Sequence, residues 1–547
     1  MPFSVNAQET NTQQTPDTTL HITPALLLVP DVFTPVRSGV WRESLNSAAL
    51  GESVERGELG EQGVMRFFGG YEAGRFRAPQ TATAILGGGF DARGLKRLGG
   101  TSGKTASDIS TRSAWTLAGQ FRYDRSAHDS VRLSTVANPL NGNPYILADT
   151  IGGNWLRDDI RLETSLSTPL LWENLRFGTQ LWYGVGQGAR RNDPRPLFRY
   201  RTLGIAPAVL WQIASEHSLG AVFKVESRRE DAELGFFAND NSFVWRLRGI
   251  ASYDRIPLVS SQRLTQGVNM VGGMQYAWNE AQPHHAQTTS SQRRIVVAAE
   301  AYSRTDSVRD GVAEPQFAGL YLEQGVNATL SAGQMGEILG MEGLQELRIH
   351  ALSALGRGID PIFRAANTAD IRTSTQVQAR FRVGAVNRIS PLDAALYLAF
   401  EDVVRRDVAA DVRSQVSNLG LGISAQGASV LGASMPNTDL VLEWRSALHY
   451  RTPLATNLQI GAPANAQGLQ NALAVPDFIV RSAQILGAEA ECAVVWNTRP
   501  SPRNESSGSA SSGSLWLRAG IGGSFTSSNH VFYNQRAAVR CFFAIVL

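Results

Sequence analysis

The chain has 547 residues, 43% of them apolar, 18% charged and 8% aromatic, with 52 glycines, two cysteines and a formal charge of +3. It is too apolar for disorder, and its 51 basic and 48 acidic residues leave no nucleic-acid footprint. Two cysteines cannot staple a disulfide scaffold, and no window approaches the ~20 consecutive apolar residues of a transmembrane helix.

In chain order, residues 1–60 read as a polar N-terminal extension or a plug. The first 20 are rich in Gln, Thr and Asn. The apolar patch Ala25–Val29 stops at Pro30, and charge follows at Glu52, Glu55, Arg56 and Glu58. Met1-Pro2-Phe3-Ser4 is too short for a secretory signal. Ala7 before Gln8 nevertheless supplies the small residue expected at a signal-peptidase cut. Residues 1–7 are therefore expected to be the remnant of a signal that starts upstream.

From Val64 onward, strand-like runs and turn-rich spacers alternate. Trp115, Leu117, Phe121 and Tyr123 share one parity, and Thr116, Gln120, Arg122 and Asp124 the other. Leu175, Phe177, Leu181, Tyr183 and Val185 oppose Arg176, Gln180 and Trp182. Val377, Ala379, Phe381 and Val383 oppose Gln376, Gln378, Arg380 and Arg382. Leu440, Leu442, Trp444 and Leu448 oppose Glu443, Arg445 and His449. Side chains alternate faces along a strand, so each run has an apolar and a polar face.

A soluble antiparallel sheet would show the same alternation, but these runs reach 11–13 residues against a soluble mode of ~5–6. Trp115 and Tyr123, eight residues apart, are separated by about 26 Å of strand. That is comparable with the ~25 Å apolar band of a membrane barrel and its two aromatic girdles. Residues 61–547 are thus expected to form one all-β, transmembrane antiparallel barrel with an even number of strands, about 14 to 18. Long polar connections are expected at 126–156, 229–264, 279–291, 306–316 and 499–513. Val539, Cys541, Phe543, Ile545 and Leu547 keep one parity to the last residue, like the terminal assembly strand of outer-membrane proteins, where an aromatic usually stands in place of Leu547.

Chemistry is sparse. Gly99–Thr105 imitates a phosphate-binding loop, but Leu98 stands where the motif needs glycine, so it reads as a turn. His284-His285 lies in a polar loop without nearby acidic or cysteine ligands, no metal or other cofactor is implied, and the G-x-S-x-G elbow is missing. Cys492 and Cys541 fall on apolar faces. With one strand between them they would lie about 9.5 Å apart, beyond the ~7 Å limit of a disulfide, so free thiols toward lipid are expected.

The polar faces carry both signs. Arg122, Asp124, Arg176, Arg380, Arg382, Glu443, Arg445, Glu489, Glu491 and Arg518 line either a selective pore or, in the favoured reading, a lumen filled by its own ion pairs.

Three strings go beyond periodicity: Gly74-Arg75-Phe76-Arg77-Ala78-Pro79-Gln80, then Asn143-Pro144-Tyr145-Ile146-Leu147-Ala148-Asp149-Thr150-Ile151-Gly152-Gly153, then Asn192-Asp193-Pro194-Arg195-Pro196. In this order and spacing the chain resembles an uncharacterised family of outer-membrane β-barrel proteins common in Bacteroidetes, a domain of unknown function. The motifs cover roughly residues 64–280. The resemblance implies the outer membrane as location and brings no activity, cofactor or catalytic residue.

Physically, Asn-Pro and Asp-Pro start turns, while Gly152-Gly153 admits backbone that other residues avoid. Asp149 and Arg195 are expected to pair across neighbouring loops and pack Tyr145. That arrangement braces the rim in the favoured reading and lines a binding surface in the other.

The function expected is non-enzymatic: passage or binding of a small solute, or a surface scaffold. The partners implied are outer-membrane lipid, the barrel-assembly machinery and a small solute or surface ligand. The rivals are a hydrolase at the outer rim, for which no convincing Ser/His or Asp/His constellation is found, and a soluble secreted all-β protein.

Overall fold

Long alternating runs close on themselves here, each strand of the wall pairing with a neighbour on both sides. The computed structural model describes residues 46–55, 59, 62–99, 114–149, 151–192, 195–235, 243–257, 260–280, 292–311, 314–338, 341–383, 392–435, 438–461, 467–498, 515–530 and 534–546. Residues 1–45, the glycine–lysine stretch 100–105, Asp193, His284-His285, the whole 499–513 connection and Leu547 lie outside them.

A short helix α1 (Ala49–Glu55) precedes β1 (Gln62–Gly74), β2 (Ala84–Leu98) and β3 (Trp115–Val131). A two-residue strand β4 (Leu147–Ala148) follows, then β5 (Gly153–Ser167), β6 (Leu175–Arg190), β7 (Arg195–Gln212) and β8 (His217–Gly235). The hairpin β9 (Phe243–Leu247) and β10 (Tyr253–Pro257) leads to β11 (Ser260–Asn279), β12 (Gln292–Asp310), β13 (Gln316–Ile338) and β14 (Met341–Ile359). Next come β15 (Ala366–Val383), β16 (Leu392–Asp407), β17 (Val412–Met435) and β18 (Thr438–Ile460). Helix α2 covers 467–481, with a π-turn at Gln470–Ala474, before β19 (Ile485–Thr498), β20 (Leu515–Ser528) and β21 (Gln535–Val546).

Eighteen of these strands form one antiparallel wall in chain order, and β1 pairs with both β2 and β21. The closing seam runs from Val64↔Val546 to Gly74↔Arg536 and leaves no edge strand. The barrel is therefore closed, and 18 is the top of the range expected from sequence. β4, β9 and β10 make a separate three-stranded sheet.

An even strand count puts the start of β1 and the end of β21 at one rim, here the lower rim; the opposite rim is the upper one. Outward positions are apolar: Met65, Phe67, Leu162, Leu203, Ile205, Met270, Leu396, Leu398 and Ile521 are all exposed. Inward positions are polar and paired, as with Arg66 Nε and Asp91 Oδ1 at 2.7 Å or Lys224 Nζ and Glu300 Oε1 at 2.8 Å. This inverts a soluble core, as expected where lipid replaces water outside.

At the lower end, Asn46 Nδ2 donates to the carbonyls of Val209 (3.1 Å) and Ala221 (3.2 Å) and to Gln275 Oε1 (3.0 Å). Glu55 pairs with the buried Arg176. The segment lies so close to β6 that a Cβ on Gly178 would stand 2.2 Å from the Ala48 nitrogen, so only glycine fits.

Two connections differ from expectation. The stretch 306–316 is mostly strand, leaving only 311–315 between β12 and β13, because its charges face inward and find partners. Helix α2 and the extension of β18 to Ile460 were not legible. Pro453 reads as a strand end, yet it sits in an irregular register where Ala455 pairs with Ser417 and Pro453 with Asn418.

Candidate functional site

The described parts of three upper-rim connections, 132–149, 243–257 and 467–484, come together in one apolar cluster. The first is shaped by short side chains that bond their own backbone. The Oδ1 atoms of Asn138, Asn141 and Asn143 each accept from the nitrogen two residues on, at 3.0 Å. This repeated turn carries the chain inward without sheet partners. Tyr145 is thereby buried beside Val308 and Ala318, its ring over Gly319, and its hydroxyl donates to Asn367 Oδ1 at 3.1 Å. Burial, with Asp360 and Asp407 nearby, pushes the phenol well above its ordinary pKa, so it stays a donor. Asn143 Nδ2 donates to Asp306 Oδ2 at 3.3 Å.

Asp149 is almost fully buried. Its Oδ1 accepts from the Gly152 nitrogen at 2.7 Å and its Oδ2 from Arg190 Nη1 at 3.1 Å. The cation expected here was Arg195. That residue instead opens β7 with an exposed side chain, while the end of β6 delivers Arg190. Gly152 has φ +71°, and a Cβ on Gly153 would stand 2.5 Å from Arg190 Cδ, so the glycine pair lets the arginine pass. Asp193 lies outside the described residues.

The second connection is held by Asp407, whose Oδ2 accepts from the nitrogens of Ala251 (2.9 Å) and Ser252 (2.8 Å). The third brings α2. Leu469 and Leu473 of α2 pack with Leu133, Ile146, Leu247 and Trp245, so all three connections share one apolar cluster. The other side of α2 is charged: Asp477 Oδ2 accepts from Arg405 Nη1 at 3.1 Å and from Arg481 Nε at 2.8 Å.

From there a chain of opposite charges crosses the lumen wall. Arg405 Nε lies 3.2 Å from Asp370, Asp370 lies 3.4 Å from Arg372 Nε, and Arg372 Nη2 donates to Glu323 at 2.8 Å. Glu323 also accepts from Tyr302 (2.9 Å) and Tyr321 (2.6 Å). Arg304 lies over the Tyr321 ring and joins Asp306 at 2.6 Å, and Arg228 reaches the same carboxylate at 3.1 Å. Tyr321, Asp370, Arg405 and Asp477, with Leu140 and Leu473, face a crevice of about 70 Å³.

Most of the other lumen candidates also find partners. Arg122 grips Asp124 through two bonds of 2.5 and 2.8 Å. Arg380 and Arg382 converge on Asp393 at 2.5 and 2.7 Å, and Arg518 meets Glu443 at 2.6 Å. Arg445 stands opposite Glu491 in the β18–β19 register, with Glu489 two residues away. The carboxylates Asp393 and Glu55 were not singled out from sequence, since each pairs with a cation on another element. A Ser–His contact was also missed: Ser126 Oγ and His128 Nε2 lie 2.8 Å apart in β3. Arg157 and Arg536 are the charges acting on that ring, which has no carboxylate partner among the described residues. Nor does any group of three His, Cys, Asp or Glu among them stand where it could hold a metal.

Among solved structures the chain is similar to the outer-membrane transporter YddB of Escherichia coli, at 7% identity and a TM-score of 0.36, covering 88% of this chain and 80% of that one. It is similar also to the FrpB iron transporter of Neisseria meningitidis (10%, TM-score 0.35, 89% and 81%) and to the ferric citrate transporter FecA (9%, TM-score 0.35, 88% and 78%). No curated protein matches. The model of one family matches residues 60–538, and the chain therefore belongs to DUF6850, a family of unknown function.

Proposed function

We propose that this protein resides in an outer membrane and binds a small polar solute at its loop-closed mouth, passing it when the loops move, without chemistry on it. The membrane reading is supported by the outward apolar surface and by four exposed tryptophans at the lower rim, Trp115, Trp172, Trp211 and Trp496. The observation that supports the solute reading is the packing of three upper-rim connections on one another. The described parts of three connections share one apolar cluster beside a crevice of about 70 Å³, and α2 meets the wall at the charged junction Arg405–Asp477, with Arg451 and Asn418 also bonding its backbone. Such a junction can be undone by a competing anion or cation without disturbing the barrel. In this reading residues 1–60 act as a second plug from below, through Asn46 and Glu55.

Planar-bilayer conductance of the refolded chain tests this. The intact protein should be electrically quiet. A variant lacking both 46–55 and 467–481 should show stable steps. Open steps from the intact chain, or silence from the doubly shortened one, would sink the gated-mouth reading.

A further inference from the structure

On β7 the outward row changes character at one residue. Trp211, Val209, Pro207, Ile205 and Leu203 face outward toward the lower rim, and Arg201 and Arg199 follow toward the upper one. From Trp211 to Leu203 is about 26 Å of strand, close to the ~25 Å apolar band. Arg201 therefore stands at the band's upper edge. On β8, Arg229 lies directly opposite Arg201 in the register, Ser227 opposite Leu203 and Asp231 opposite Arg199.

Side chains directly opposite on one face of an antiparallel pair have Cβ atoms only about 4.5–5.5 Å apart, and like charges there repel. Two neighbouring arginines are offset: Arg229 Nε lies 3.2 Å from Asp231, and Arg199 Nη1 lies 3.5 Å from Glu233. Arg201 is exposed and makes no ion pair among the described residues. The three guanidinium groups border a cleft of about 510 Å³ lined also by the apolar Ile160, Tyr183 and Val185 and by the carboxylates Asp158 and Asp231.

An uncompensated arginine facing another arginine, at the depth where acyl chains end and headgroups begin, calls for a multivalent anion. Guanidinium groups take phosphate oxygens in pairs, and anionic headgroups collect basic residues at this depth. Resting on the membrane reading above, we infer that Arg201, Arg229 and Arg199 clasp the phosphate of a lipid in the leaflet at the upper rim. Its acyl chains then run down over Leu203 and Tyr183.

The test uses the refolded full chain in phosphatidylcholine vesicles doped with bis-phosphorylated lipid A. After extraction, lipid A retained per barrel is counted by native mass spectrometry. The intact chain should retain lipid A about tenfold better than an Arg201→Gln/Arg229→Gln variant. Arg357→Gln, which removes an exposed arginine from β14, should match the intact chain. Equal retention by the double variant, in barrels that float with the vesicles, overturns the clasp. Displacement of lipid A by millimolar inorganic phosphate overturns the lipid assignment in favour of a free-anion site. Failure of the intact chain to float with vesicles overturns the membrane reading itself, and is read out separately from lipid retention.

Discussion

Arg405 of β16 and Asp477 of α2 meet at 3.1 Å, and through that contact the charge chain of the lumen wall continues into helix α2 at the upper rim. Burial raises the Asp477 carboxyl, but the Arg481 and Arg405 cations outweigh it and hold the group below the usual carboxylate range. A carboxyl held lower in the folded state adds stability above its ordinary pKa of about 3.9 and loses it as pH falls through the lowered value. Hydrogen exchange of 467–484, corrected for intrinsic rates, should be constant from neutral pH down to roughly pH 4 and accelerate below it. Asp477→Ala should remove that dependence and cost about 3 kcal/mol, since it strands two arginines. Unchanged exchange in the variant would count against the junction.

The Asp149–Arg190 pair is buried on both sides. Arg190→Ala leaves an unpaired carboxylate and should cost roughly 3–5 kcal/mol, read as a lower urea midpoint and faster proteolysis within 132–152. Arg195→Ala, at an exposed position, should leave both within error, as should heat-modifiable gel mobility. A large loss from the Arg195 change would restore it as the bracing cation.

Gly319 carries φ +149°, and a Cβ there would stand 2.6 Å from the Tyr145 ring. Gly319→Ala should expel the ring, at a cost of about 1–3 kcal/mol, and expose the first connection to protease. Tyr145→Phe, which loses only the bond to Asn367, should cost about 1 kcal/mol. The order of the two effects is the prediction.

Trp115, Trp172, Trp211 and Trp496 should sit at one membrane interface. In vesicles of brominated lipids, their fluorescence should be quenched most by bromines near the headgroups and least by those at the bilayer centre. Replacing all four with phenylalanine should remove most of the shallow quenching.

Cys492 pairs in register with Ile521, and Ile521 with Cys541, so the thiols share one outward row two strands apart. Both are free and exposed. With adjacent strands ~4.8 Å apart, no disulfide can form. A membrane-permeant apolar maleimide should label both in vesicles, and a charged one neither.

Those cysteines show how far the sequence reaches. Strand alternation is a local property, readable from Trp115 and Thr116 or from Phe381 and Arg382 without knowing any neighbour. It fixes which residues face outward, and chain order then places neighbouring strands side by side. The barrel and the outward thiols therefore follow from the sequence alone. Partner choice does not. Which cation reaches Asp149, or which carboxylate holds Arg405, depends on register and on loops returning from far along the chain: 41 residues separate Asp149 from Arg190, and 72 separate Arg405 from Asp477. Helix α2 was hidden for the same reason, because its apolar positions are spent on two other loops instead of a strand pattern. Only the tertiary structure decided that three upper-rim connections share one apolar cluster, since that cluster is made of contacts that no segment contains by itself.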